Sequence, residues 1–322
     1  MNQSPRTPRQ YVTLFLKGMA MGGADVVPGV SGGTIAFITG IYETLLDSIA
    51  SVDGDALQLL IKGRLRDFWQ HINGNFLVTL FGGIFLSILT LAQLLGYLLE
   101  AYPIQLWSFF FGLIIIAAYL VAKEIKRWSV GVVVAAAVGI AIAYYITLAT
   151  PAETPTSLWF VFLSGSLAIC AMILPGISGS FILLILGKYA FILEAVNERD
   201  FAVIAVFGLG CVVGILTFAR VISWLLDRYH DVAVALLAGF MIGSLGKIWP
   251  WKEVTLTHLD RHGEEVPLVT RNVLPAQFEQ LTGQDALLGQ AILFMLVGFL
   301  LVLGIERFAN YQQKKGEREA SV

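Results

Sequence analysis

Two short segments carry residues that bind anions without help from a metal or cofactor. GADVVPGVSGGT (23–34) supplies Gly29, Ser31, Gly32, Gly33 and Thr34, and AMILPGISGS (171–180) supplies Gly176, Ser178, Gly179 and Ser180. Proline and clustered glycine forbid a continuing helix in each, so new helices are expected to start near Thr34 and Ser180. A helix start offers free backbone N–H groups and the positive end of the helix dipole, which suits phosphate or carboxylate. Glycine lets the ligand approach the backbone, and the four hydroxyls add donors. No GxxxxGK[ST] run is present, so neither segment is a nucleotide P-loop. One such segment alone would read as small-residue packing. Two in register point to a shared site.

Few ionisable residues lie within apolar sequence, where each calls for a functional reading. Arg220, in GILTFARVISW, could clamp a phosphate bidentately, with snorkelling to the nearby span end as the structural alternative. Lys188, beside Tyr189, is a second candidate cation for the anion. Asp25 stands where the second segment has Met172, and with Glu43 it is a candidate for coupling to H+ or Na+; a capping role for Asp25 and a solvated one for Glu43 are the plainer readings. His71, His230, His258 and His262 fall in expected loops, and Cys170 and Cys211 read as small buried apolar residues. Neither a metal site nor a cofactor is expected. HExxH, CxxC and paired-carboxylate motifs are absent, which argues against an enzyme.

The elements that must position these residues are apolar. The chain is 57% hydrophobic and 14% charged over 322 residues, against about 45–50% and about 25% in soluble proteins. It therefore reads as an all-α polytopic membrane protein. The formal charge of −2 offers no general attraction to nucleic acid. Spans of about 20 residues are expected at 76–99, 104–122, 130–149, 201–226, 232–249 and 286–305. The regions 11–50 and 158–196 are each interrupted by one glycine-rich segment. Setting Pro28 against Pro175 also pairs Gly18 with Gly165, Gly40 with Gly187 and Tyr42 with Tyr189, while ILTLAQ (88–93) matches ILTFAR (215–220). Two repeats follow, 11–150 and 158–305, each a broken hairpin plus three spans.

The arms of the first hairpin, about 14 and about 17 residues, reach ~21 and ~25 Å, too short to cross a core of about 30 Å. Each hairpin is thus expected to be re-entrant. Three crossings per repeat is odd, so the repeats should be inverted, an arrangement that places transporter binding sites at paired helix breaks. Positive charge supports cytoplasmic N- and C-termini: Arg6, Arg9, Lys62, Arg64, Arg66, Lys123, Lys126, Arg127, Arg228, Arg307, Lys314, Lys315 and Arg318 all fall on that side. The 247–285 segment, with Lys252, Arg261 and Arg271, is read as a long outer loop.

GMAMGGADVVPGVSGGTIAFITGIYETLLDSI (18–49) and ILPGISGSFILLILGKY (173–189) resemble the bacterial and archaeal membrane family called domain of unknown function 368, or DUF368. Its members are assigned as polyprenyl-phosphate, chiefly undecaprenyl-phosphate, translocases. The resemblance spans essentially the whole chain. It implies a multi-pass protein of the bacterial inner membrane that returns the carrier lipid from the outer to the cytoplasmic leaflet for reuse in cell-wall and surface-glycan synthesis. The motif positions are Gly23, Ala24, Asp25, Pro28, Gly29, Ser31, Gly32, Gly33, Thr34, Gly40, Tyr42 and Glu43, with Pro175, Gly176, Ser178, Gly179, Gly187 and Tyr189 in the second copy. The lipid and the bilayer are the expected partners, and a homo-oligomer is left open. A cation-coupled carrier of a small soluble anion and a membrane lipid phosphatase are the alternatives.

Overall fold

The computed structural model describes residues 7–27, 29–259 and 265–320. Arg6, Pro28, Arg261 and His262 lie outside the described residues, as do the side chains of His258, Lys314, Lys315 and Arg318. Among the described residues, the regular structure is helical apart from one small β-hairpin. The first broken region comprises α1 (Pro8–Val26), α2 (Gly32–Ile38) and α3 (Tyr42–Ala50), followed by two short helices, α4 (Gly54–Ile61) and α5 (Leu65–His71). Three long helices come next, α6 (Gly74–Ala101), α7 (Pro103–Lys123) and α8 (Val130–Leu148). The second broken region is α9 (Leu158–Ile173), α10 (Gly179–Ile185) and α11 (Tyr189–Glu198). It leads into α12 (Phe201–Ser244), a 3₁₀ turn (Leu245–Ile248), strands β1 (Lys252–Leu259) and β2 (Glu265–Asn272), α13 (Pro275–Thr282) and α14 (Leu288–Ala320).

Five of the helices are long and apolar enough to cross a membrane, or six spans if the α10–α11 pair is counted as one, so the chain is an all-α polytopic membrane protein. The expected spans 201–226 and 232–249 correspond to two helical limbs within α12 and the 3₁₀ turn after it, separated by non-helical backbone at Tyr229 (φ −135°, ψ 49°) where the chain turns. The part of each region that follows the proline-glycine break is itself divided, where a single arm was expected. Gly40 adopts φ +68° between α2 and α3, and Gly187 adopts φ +61° between α10 and α11, which meet at 102°. The 247–285 segment also contains more than a loop. β1 pairs antiparallel with β2, Lys252 opposite Asn272 and Glu253 opposite Arg271.

Local sequence accounts for several boundaries. Thr7 and Gln10 form a capping box with Pro8 in the first turn of α1, and Asp200 accepts from the Ala202 and Val203 N–H groups to open α12. Between helices, glycine brings backbones into direct contact, the usual way helices associate where water supplies no hydrophobic drive. A Cβ on Gly18 or Gly83 would strike the facing backbone of α6 or α1, and one on Gly165 or Gly210 would do the same between α9 and α12. Gly139 and Gly239 form such a seam between α8 and the second half of α12, and Gly112 and Gly298 form one between α7 and α14. The core runs through Val27, Val30, Ala36, Ile114 and Met241, all fully buried. Val78, Phe81, Phe85 and Leu89 on α6 are exposed in the way side chains facing lipid would be.

Candidate functional site

The two breaks share an unusual backbone. Gly29 has φ +88° and Gly176 φ +87°, in a region that L side chains rarely enter. They also meet. The Ser31 hydroxyl donates to the carbonyls of Met172 (3.2 Å) and Leu174 (3.0 Å), and Thr34 Oγ1 accepts from the Gly176 N–H (3.1 Å). Ser31 and Thr34 are both completely buried, and the Ile173 carbonyl fills the place where a Cβ on Gly33 would stand. Segments more than 140 residues apart are therefore fastened tip to tip.

The helix starts beyond the breaks differ from one another. The sequence led us to expect open N–H groups at both, yet those of α2 are engaged within the chain. Asp25 Oδ1 accepts from Gly32 N–H at 2.7 Å, Ser31 Oγ from Gly33 N–H at 3.1 Å, and the Ser31 carbonyl from Thr34 N–H at 3.0 Å. Met172, in the place of Asp25, cannot do the same for α10. No side chain caps α10, and the Ser178 and Ser180 hydroxyls bond to each other at 2.8 Å. Asp25 thus takes the capping role at the start of α2.

The remaining candidate residues lie apart from the tips. Arg220 donates from Nη2 to the Val52 carbonyl (2.6 Å) and from Nε to the Ala50 carbonyl (3.3 Å). Its guanidinium so closes the C-terminus of α3, where the helix dipole favours a cation. Lys188 is 2% exposed, donates to the Thr154 carbonyl at 2.8 Å and lies 5.5 and 5.4 Å from the ring centres of Phe160 and Phe191. It fastens the 150–157 link to the second hairpin. Glu43 is mostly exposed, 3.8 Å from His230 Nε2.

The sequence reading missed Lys247. Its Cγ is 2.8 Å from where a Cβ on Gly29 would sit, and its Nζ is 3.8 Å from the Phe181 ring centre on α10. One side chain therefore touches the first break and the helix that follows the second. Lys247 also lines a cavity of about 480 Å³ beside the tips, together with Lys252, Arg271 and Asn272. The signal available in the sequence was a lysine inside the apolar stretch assigned to 232–249. Among the described residues, no group of His, Cys, Asp and Glu could hold a metal ion.

Comparison with known proteins gives a consistent result. The profile of a family described as undecaprenyl phosphate translocase-like matches residues 21–266. A protein of Vibrio cholerae serotype O1 named "Polyprenyl-phosphate transporter" is 49% identical over 300 residues, 93% of this chain and 97% of that protein. A Staphylococcus aureus protein of the same name is 35% identical over 259 residues, 73% of this chain and 85% of that one. No solved structure matches the chain.

Proposed function

The chain belongs to the undecaprenyl phosphate translocase-like family, and from that premise we propose that it is a carrier of polyprenyl phosphate, undecaprenyl phosphate above all. It returns the lipid from the outer to the cytoplasmic leaflet of the bacterial inner membrane, for reuse in cell-wall and surface-glycan synthesis. The two hairpins enter from opposite sides in inverted repeats, with both termini cytoplasmic, and the joined tips expose the head group to each side in turn.

The observation that carries this reading is the tip-to-tip junction of Ser31 and Thr34 with Leu174 and Gly176. Taking a phosphate across hydrocarbon is the costly step in moving such a lipid, and irregular backbone at membrane depth belongs where it lines a site for a polar ligand. The uncapped end of α10, with Ser178, Gly179 and Ser180, receives phosphate first. Gly29, Gly32, Gly33 and Gly176 let the oxygens approach the backbone. Asp25 holds the end of α2 until a proton or Na+ weakens its grip on the Gly32 N–H; the phosphate then gains those donors, which couples head group and cation. Arg220 and Lys188 act as positioning residues, holding α3 and the second hairpin in place, and Glu43 with His230 lies on the cytoplasmic exit path.

Reconstitution tests the reading. Protein in liposomes containing undecaprenyl phosphate should change head-group accessibility at the outer leaflet with time, without releasing inorganic phosphate. Asp25→Asn keeps an acceptor for Gly32 and should transport without dependence on the cation gradient. Unchanged accessibility would defeat the carrier reading, and phosphate release would replace it with a phosphatase.

A further inference from the structure

The lining of the cavity beside the tips is chemically mixed. Lys247, Lys252, Arg271 and Asn272 come from the 3₁₀ turn and the β-hairpin; Leu148, at the end of α8, and Phe181, Leu184 and Ile185 of α10 add apolar surface, alongside the hydroxyls of Tyr144 and Thr147. No acidic side chain is among the residues lining it. Arg271 is already neutralised, its Nη2 2.7 Å and its Nε 3.1 Å from Glu253 Oε2. Among the described residues the two lysines have no such partner. Lys252 Nζ donates to the Gly246 carbonyl (3.2 Å) and Asn272 Oδ1 (2.9 Å), which leaves one of its three N–H bonds unused. Lys247 presents its ammonium to the face of Phe181.

Two ammonium groups held close together without a counter-charge repel one another, and an anion between them removes both that repulsion and the cost of their burial. Lys252 shows the strain: burial and the charge of Lys247 push its pKa down to about 7. A phosphomonoester carries roughly −1.5 to −2 charge near neutral pH and three acceptor oxygens, which matches two lysines and an amide. A free phosphate would use the polar groups alone. A phosphate attached to an apolar chain would use the apolar surface as well.

We propose that this cavity is a loading site for a phosphomonoester head group, with Lys247 and Lys252 as its charge partners and the apolar surface of α8 and α10 as the seat of the first apolar units of the chain. This rests on the carrier reading above and adds a subsite to it. Because Lys247 also touches Gly29, a head group bound here is one side chain away from the joined tips.

The test is farnesyl phosphate and inorganic phosphate binding to the full chain in nanodiscs, by calorimetry, with lipid translocation measured on the same preparations. Lys247→Gln and Lys252→Gln should each weaken farnesyl phosphate binding about tenfold or more, the value of a charge-assisted hydrogen bond. The Lys→Arg variants should restore most of it, and Lys62→Gln, at the exposed end of α4, should bind as the parent does. Wild-type binding by both glutamine variants would overturn the proposal and leave the carrier reading standing. Inorganic phosphate binding as tightly as farnesyl phosphate would overturn the head-group assignment. Lysine-dependent farnesyl phosphate binding without translocation by the parent protein would support the cavity and defeat the carrier reading instead.

Discussion

Thr34→Val isolates one of the bonds that join the tips. Valine keeps the shape and β-branching of threonine, so helix propensity and packing in α2 change little. What is lost is the acceptor for the Gly176 N–H, 3.1 Å away across the junction, in a position where Thr34 is 0% exposed. An N–H left unpaired in such a place costs about 1–3 kcal/mol, or a factor of roughly 5 to 150 in an equilibrium constant. Thr39→Val is the matched control. Its hydroxyl donates to the Ile35 carbonyl of its own helix, which already accepts the Thr39 N–H, so removing it orphans nothing. Equilibrium unfolding in mixed micelles titrated with SDS should show Thr34→Val destabilised within that range and Thr39→Val by less than about 1 kcal/mol. Combined with Ser31→Ala, Thr34→Val should be non-additive, because both residues hold the same two segments together. Equal effects of the two valine variants, or none from Thr34→Val, would refute the junction.

Gly29→Ala forces a side chain into a left-handed backbone at a cost of about 1–2 kcal/mol, and its methyl would lie 2.8 Å from Lys247 Cγ. It should lower both thermal stability and farnesyl phosphate affinity, whereas Gly40→Ala, with φ +68° and open space around it, should lower stability alone. Because the Lys252 pKa is depressed to about 7, Lys252 is charged below that pH and neutral above it in the empty cavity. Farnesyl phosphate affinity should therefore fall as pH rises through about 7, and Lys252→Arg should flatten the profile. Arg220→Lys gives up the two-point hold on the Ala50 and Val52 carbonyls; its thermal midpoint should drop while its Kd for farnesyl phosphate stays at the parent value.

Apolar runs and paired Pro-Gly segments were enough to read the long apolar helices and both helix breaks, because a membrane helix must be long and apolar and a broken one must show what breaks it. Gly40 and Gly187 were legible as repeat partners, but not as second breaks, since a lone glycine within an apolar arm is compatible with helix. The β-hairpin was hidden in polar sequence whose register depends on pairing. Site chemistry was harder to read for a different reason. Residue type shows that Asp25 and Arg220 can bind an ion or an anion, but the chain itself supplies their partners, a helix N-terminus for Asp25 and a helix C-terminus for Arg220. Lys247 gained its importance only from being folded against Gly29 and Phe181, contacts that no local pattern records.

The most direct test of the central claim is to map where the head group travels. A polyprenyl phosphate with a photoreactive group next to the phosphate, activated in proteoliposomes during transport, would mark its contacts for mass spectrometry. Labels in 29–34, 174–180 and 247–252, lost when unlabelled undecaprenyl phosphate competes, are the expected result. Labels confined to the exposed face of α6, with none at the hairpin tips, would contradict the account.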